Sequence, residues 1–210
     1  MADIDSLTTG DGRFSYQAAG EIGAPALVFL HGIGGAARAW RDQLDGFATR
    51  YRTLAWDMPG YGASRPLEAT SIENLAQALK DFLAQLAVKK PVLVGHSIGG
   101  MIVQQLLKTD PKLPHAVVLA QTSPAFGKPD GDWQKTFIEA RLGPLERGET
   151  MKELAPTLVK ELAGTDPDPR GMELARDCMA KVPEATYKAT MRALIGFDLR
   201  DILKYIKLPT

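Results

Sequence analysis

The sequence predicts an α/β fold, a mostly parallel sheet covered on both faces by helices. Three observations carry that prediction. Four short, apolar, β-branched runs recur along the first 120 residues, each bounded by glycine, proline or polar residues. Between them stand stripes of apolar residues at three- and four-residue steps, the spacing of amphipathic helices. Three of the four runs end in glycine-bearing turns. Strands that alternate with helices build a sheet buried on both sides, with ligands at the carboxyl ends of its strands.

The elements follow in order. Pro25-Ala26-Leu27-Val28-Phe29-Leu30 reads as a buried strand running into His31-Gly32-Ile33-Gly34-Gly35, and a helix stripe follows in Trp40, Leu44 and Phe47. Arg52-Thr53-Leu54-Ala55-Trp56 leads to Asp57-Met58-Pro59-Gly60-Tyr61-Gly62. Its helix opens on Thr70 and Glu73, read as a capping box, and carries Ile72, Leu75, Leu79, Phe82, Leu83 and Leu86. Pro91-Val92-Leu93-Val94 is the third strand, and Ile98, Met101, Ile102, Leu106 and Leu107 mark the helix after it. Lys108 lies in that helix's last turn and Asp110-Pro111 stops it. Ala116-Val117-Val118-Leu119-Ala120 is the fourth strand.

Gly95-His96-Ser97-Ile98-Gly99, between the third strand and its helix, carries the chemistry. A serine at a tight strand-to-helix turn, with glycines two residues to either side, is the nucleophile-elbow pattern. The glycines are needed because backbone packs on backbone there, and a Cβ at either place would clash. The turn lifts the Ser97 hydroxyl above the sheet, and the first amides of the helix point at negative charge forming beside it.

The order H-G-x-G-G at His31 to Gly35, D-x-P-G-x-G-x-S at Asp57 to Ser64, and G-H-S-x-G-G at Gly95 to Gly100 resembles the α/β-hydrolase superfamily. From the elbow through Leu119-Ala120-Gln121-Thr122-Ser123 the chain is most similar to the esterase and 3-oxoadipate enol-lactonase-like branch. That resemblance implies a serine hydrolase acting on a small carboxylic ester or lactone through an acyl-enzyme. Ser97 would be the nucleophile, and the backbone amides of Ile33 and Ile98 would form the oxyanion hole, one from each glycine-bearing loop. Gly32, Gly34 and Gly35 would keep the first loop free of side chains, so that the carbonyl can approach. The same loop and elbow could serve C–C bond hydrolysis or cofactor-free haloperoxidase-type chemistry.

Composition agrees with a globular domain. The 210 residues are 45% hydrophobic and 24% charged, enough to bury about 70% of the unfolded surface in one core. Lys plus Arg number 25 and Asp plus Glu 25, so nothing favours nucleic acid or an anionic membrane as partner. Cys178 is the only cysteine, which fits a reducing cytoplasmic setting, and it reads as a small hydrophobe on a helix. The acidic start Met1-Ala2-Asp3-Ile4-Asp5 carries no apolar signal segment, and no apolar run reaches membrane-spanning length. No paired Cys/His spacing calls for a metal, and no cofactor is implied.

After Ser123 the text changes. Residues 1–123 read as hydrolase core, 124–197 as a helical cap, and 198–210 as a return to the core. Phe126-Gly127-Lys128-Pro129-Asp130-Gly131 reads as a loop. Trp133, Phe137 and Ile138 mark one helix, and Met151, Leu154, Leu158, Val159 and Leu162 a second. Pro167-Asp168-Pro169 breaks the chain before Met172, Leu174 and Met179, and Met191, Leu194, Ile195 and Phe197 close the region. By resemblance these helices roof the pocket and set substrate choice, with Phe126 and Trp133 as its candidate lining residues.

A serine attacks at neutral pH only when a base takes its proton. The chain has three histidines. His96 neighbours Ser97, so its side chain leaves the turn in another direction. His31 reads as hydrogen-bonding its own loop into shape, and His115 stands at the wrong end of its strand. By resemblance Asp57 shapes the backbone of its loop, and Gln121, Thr122, Ser123 and Pro124 occupy a stretch where some relatives carry the acid. The usual acid and histidine would follow later strands, to which Asp201 through Thr210 resembles a lead-in. The expectation is therefore a chain lacking its C-terminal strands, with an exposed apolar sheet edge covered by a complementing segment or a second copy, and inactive alone. The alternative is a non-catalytic, receptor-like ligand binder on the same fold.

Overall fold

The computed structural model describes residues 2–127 and 131–210, so Lys128, Pro129 and Asp130 of the expected loop lie outside the described residues. Six strands form one sheet: β1 (Asp5–Thr8), β2 (Ser15–Ala19), β3 (Ala26–Leu30), β4 (Arg52–Trp56), β5 (Val92–His96) and β6 (Ala116–Ala120), in the order β1-β2-β4-β3-β5-β6. β4, β3, β5 and β6 are parallel, while β1 and β2 form an antiparallel hairpin against β4.

Side chains alternate along each strand, and in the central strands both faces are buried. From β3, Leu27 and Phe29 pack with Leu44 beneath helix α1 (Arg41–Phe47), and Phe29 stacks on Trp40 at a centroid distance of 4.9 Å. Val28 and Leu30 face the other way, into the core under α2 (Ile72–Gln85) and α3 (Ile98–Thr109).

Two local readings need correction. Trp40 belongs to a short 3₁₀ turn, Ala37–Trp40, and Phe47 at the end of α1 is 46% exposed against Tyr51, so Leu44 alone of the expected stripe is fully buried under α1. The cap of α2 is Ser71, not Thr70: its hydroxyl accepts from Asn74 N at 3.1 Å. The helix begins one residue later than expected, with buried Ile72 as its first residue, so the third position is Asn74 and Glu73 cannot close a box.

Beyond β6 come, among the described residues, four helices: α4 (Asp132–Glu146), α5 (Met151–Leu162), α6 (Pro169–Ala180) and α7 (Glu184–Arg192). The chain enters and leaves this layer through a two-stranded pinch. Phe126 N donates to Phe197 O at 2.9 Å, Leu199 N donates to Pro124 O at 2.7 Å, and Ala125 bridges Asp198 between them. A 3₁₀ turn (Arg200–Tyr205) follows, and Val117 N on the outer edge of β6 donates to Pro209 O at 3.0 Å.

Candidate active site

β5 and α3 meet at Ser97, whose backbone stands at φ +54°, ψ −121°. A left-handed serine costs on the order of 1–3 kcal/mol unless its surroundings fix it. They do. Ser97 N donates to Ala120 O at 3.0 Å, and Thr122 Oγ1 donates to Ser97 O at 2.7 Å, tying the bend to the end of β6. A Cβ on Gly95 would lie 2.6 Å from Gly100 N, and one on Gly99 would lie 2.5 Å from Leu30 O. Both glycines are thus demanded by backbone contact. The Ser97 hydroxyl has no hydrogen-bond partner among the described residues and is not sealed from solvent.

The loop after β3 faces that bend. A Cβ on Gly32 would sit 3.2 Å from Ser97 Cβ and 2.9 Å from His96 Nδ1, so only glycine lets the two loops approach. Gly35 N donates to Gly32 O at 3.0 Å, closing the loop, while Gly34 lies under Met179 of α6. The backbone amides of Ile33 and Ile98 donate to no acceptor among the described residues.

His31 is the pin of this loop. Its Nδ1 donates to Gly32 O at 2.8 Å, and its Nε2 accepts from Met58 N at 3.0 Å, joining the loops after β3 and β4. Burial pushes its pKa below the ordinary imidazole value, an effect opposed in part by the Gly32 bond and by nearby Asp57. With its one lone pair engaged by Met58, His31 has no capacity to accept a serine proton. Asp57 is likewise occupied: Oδ1 accepts from Ala37 N at 2.8 Å and Oδ2 from Ser15 Oγ at 2.7 Å. His96 Nε2 donates to Gln121 Oε1 at 3.2 Å, and His115 precedes β6 at the opposite end of the sheet.

A cavity of about 410 Å³ opens next to His96, the residue before Ser97, with Gly32 to Gly35, Ala39, Trp40 and Gln43 on one side and residues of α5 and α6 on the other; Ser97 itself is not among its lining residues. Neither expected lining residue borders it. Phe126 is buried between Trp133 and Phe137, and Trp133 is 58% exposed. Cys178 does border it; burial pushes its thiol pKa up, which keeps the sulfur protonated and unreactive. Among the described residues no cluster of three His, Cys, Asp or Glu could hold a metal ion, and no helix is long and apolar enough to cross a membrane.

A family model described as the alpha/beta hydrolase fold matches residues 25–166, from the start of β3 into the helical layer. The chain belongs to the α/β-hydrolase family. This hydrolase is 27% identical to 3-oxoadipate enol-lactonase 1 of Acinetobacter baylyi over 216 aligned residues, covering 100% of the chain and 79% of that protein. It is 43% identical to epoxide hydrolase 4 of Mus musculus over 93 residues, which make up 43% of the chain and only 26% of the relative. In fold it matches the enol-lactonase from Burkholderia xenovorans with a TM-score of 0.81 at 23% identity, covering 98% of the chain and 78% of that structure.

Sequence reasoning missed three supports of the hydrolase's elbow. Thr122 and Gln121 act from the end of β6, 25 residues beyond the groups they bond, and the partner of His31 is a backbone amide in another loop. Gln121 also stands at φ +44°, a conformation no local signal announced.

Proposed function

We propose that this α/β-hydrolase cleaves a small carboxylic ester or lactone through an acyl-enzyme on Ser97. The Ser97 oxygen attacks the carbonyl carbon, its proton leaves to a base, and the carbonyl oxygen becomes an oxyanion held by the amides of Ile33 and Ile98. Collapse expels the alcohol with a proton, and water then releases the acid. Gly32 admits the carbonyl, and His31 holds the loop that presents Ile33. The observation that carries the reading is a strained serine hydroxyl, open and unbonded, opposite a loop whose nearest amides are uncommitted. The enol-lactonase relatives support the ester or lactone class. In this reading the proton goes to an imidazole that the described residues do not place beside Ser97.

The test is hydrolysis of p-nitrophenyl acetate by the chain and by Ser97→Ala, with and without added imidazole, with mass spectrometry of Ser97. Expected are near-background rates without imidazole, and a Ser97-dependent increment with acetylated Ser97 when imidazole is present. Fast Ser97-dependent turnover without imidazole would mean that His31, His96 or His115 is the base after all. Absence of acetyl-Ser97 under both conditions would remove the acyl-enzyme. A ligand-binding role without chemistry is favoured by one observation, a largely apolar cavity next to the elbow residue His96 with neither His31 nor His96 free to act as base, and that role predicts binding without acylation.

A further inference from the structure

The roof of the cavity is built from two amphipathic stripes. Val159, Leu162 and Ala163 of the α5 end lie at steps of three and four residues, as do Met172, Ala175 and Met179 of α6, and these faces turn inward together. The charges of both helices go the other way. Lys160, Glu161 and Arg176 are exposed, Arg141 pairs with Glu161, and Asp177 pairs outside the cavity with Arg38 and Lys181. No Lys, Arg, Asp or Glu is among the described residues that line the space. Apart from the Cys178 thiol, its polar groups lie away from that roof: His31 with both nitrogens engaged, His96 bonded to Gln121, Trp40 with its buried indole N–H unpartnered among the described residues, and Gln43 of α1.

From this asymmetry we infer that the cavity takes the apolar chain of a neutral ester, and rejects substrates carrying a carboxylate at the end remote from the reacting carbonyl. The inference rests on the serine-hydrolase reading for its orientation, with the carbonyl at Ser97 and the chain beneath α5 and α6. A remote carboxylate would leave water for a wall of methionine, alanine and branched aliphatic side chains with no cation to meet it, which is prohibitive for an ionised group. Size sets the length. A water-sized unit takes ~30 Å³ of liquid volume, so about 410 Å³ holds about fourteen non-hydrogen atoms. That suits a saturated chain of six to eight carbons with its ester group. Leu162, 65% exposed at the rim, leaves an apolar lip over which such a chain enters.

Calorimetric titration of the Ser97→Ala protein isolates binding from chemistry. Methyl octanoate and monomethyl suberate share a methyl ester and chain length and differ by the remote carboxylate. Methyl octanoate is expected to bind at least tenfold more tightly. Ala175→Trp, which fills the cavity, should abolish that binding, whereas Leu162→Arg, a change at an exposed position the fold tolerates, should narrow or reverse the preference by supplying a cation at the rim. Equal affinities, tighter binding of the suberate ester by the parent, no binding of either, or a preference unmoved by Leu162→Arg would each overturn the inference. A failure of Ser97 to acetylate alongside intact methyl octanoate preference would sink the acyl-enzyme and leave the cavity assignment standing.

Discussion

In a free helix alanine is about 1 kcal/mol better than glycine, so Gly99→Ala, in the first turn of α3, would stabilise that helix taken alone. In the folded protein the added methyl would lie 2.5 Å from Leu30 O, 2.9 Å from Leu30 C and 3.0 Å from His31 O. Every one of those atoms is backbone at the end of β3, so no rotamer change relieves the contact. Overpacking of this kind costs about 1–3 kcal/mol. Net of the propensity gain, the protein should lose up to about 2 kcal/mol, which at ~2–4 °C per kcal/mol is a drop of at most about 4–8 °C in melting temperature for a chain of this size. The natural control is Gly46→Ala in α1, where nothing lies within 4 Å of the added carbon and the residue is exposed. That change should raise stability by as much as ~1 kcal/mol. Thermal melts of the three proteins followed by circular dichroism read both effects at once. Because the β3 end leads into the loop that presents the Ile33 amide, the proposed acyl transfer predicts that Gly99→Ala also slows imidazole-assisted acetylation of Ser97, on the order of 100-fold for a displacement near 1 Å. A Gly99→Ala protein melting at or above the parent, or both alanine variants shifting in the same direction, would refute the backbone-contact account of the elbow.

Further outcomes follow from the pin and the cap. Burial holds His31 neutral, so its folded pKa lies below the unfolded value of about 6.5; stability is complete above that pH and is lost as pH falls beneath it. Melting temperature should therefore drop as pH falls below about 6.5, and His31→Asn should lower it throughout while flattening the slope; an unchanged slope would point to another group. Ser71→Ala should cost about 1 kcal/mol of stability by uncapping α2, whereas Thr70→Ala should be near neutral. Equal losses in the two would return the cap to the position the sequence suggested.

The central parallel strands were legible because burial on both faces writes itself as an unbroken apolar run, as in Leu27 to Leu30; Val117 to Leu119 reads the same way although Val118, on the edge strand, is 48% exposed. The hairpin was not. β1 is polar and exposed along its length, and β2, Ser-Tyr-Gln-Ala-Ala, is buried with small and polar side chains that pattern reading passes over. At the site, Ser97 and its flanking glycines could be read because local crowding dictates them, whereas Gln121, Thr122 and the Met58 amide act across strand neighbours that only folding brings together. The stripes of α5 and α6 were visible as periodicity, but which of them would meet the elbow depends on interhelix packing. Phe126 and Trp133 mislead for that reason: as aromatics near the start of the helical layer they look like a pocket wall, yet they pack chiefly on one another and on Phe137.

The pinch at Ala125 and Asp198 makes the helical layer an excursion whose two ends are adjacent, fastened to each other before either reaches the sheet. An insert anchored in that way can be lengthened, shortened or exchanged for another while the strand alignment beneath it stays put, since closing a longer loop costs little once its ends are already paired. The two parts of the chain can therefore change at separate rates: the bend and its facing loop are fixed by backbone crowding, and the helical layer is replaceable as a cassette.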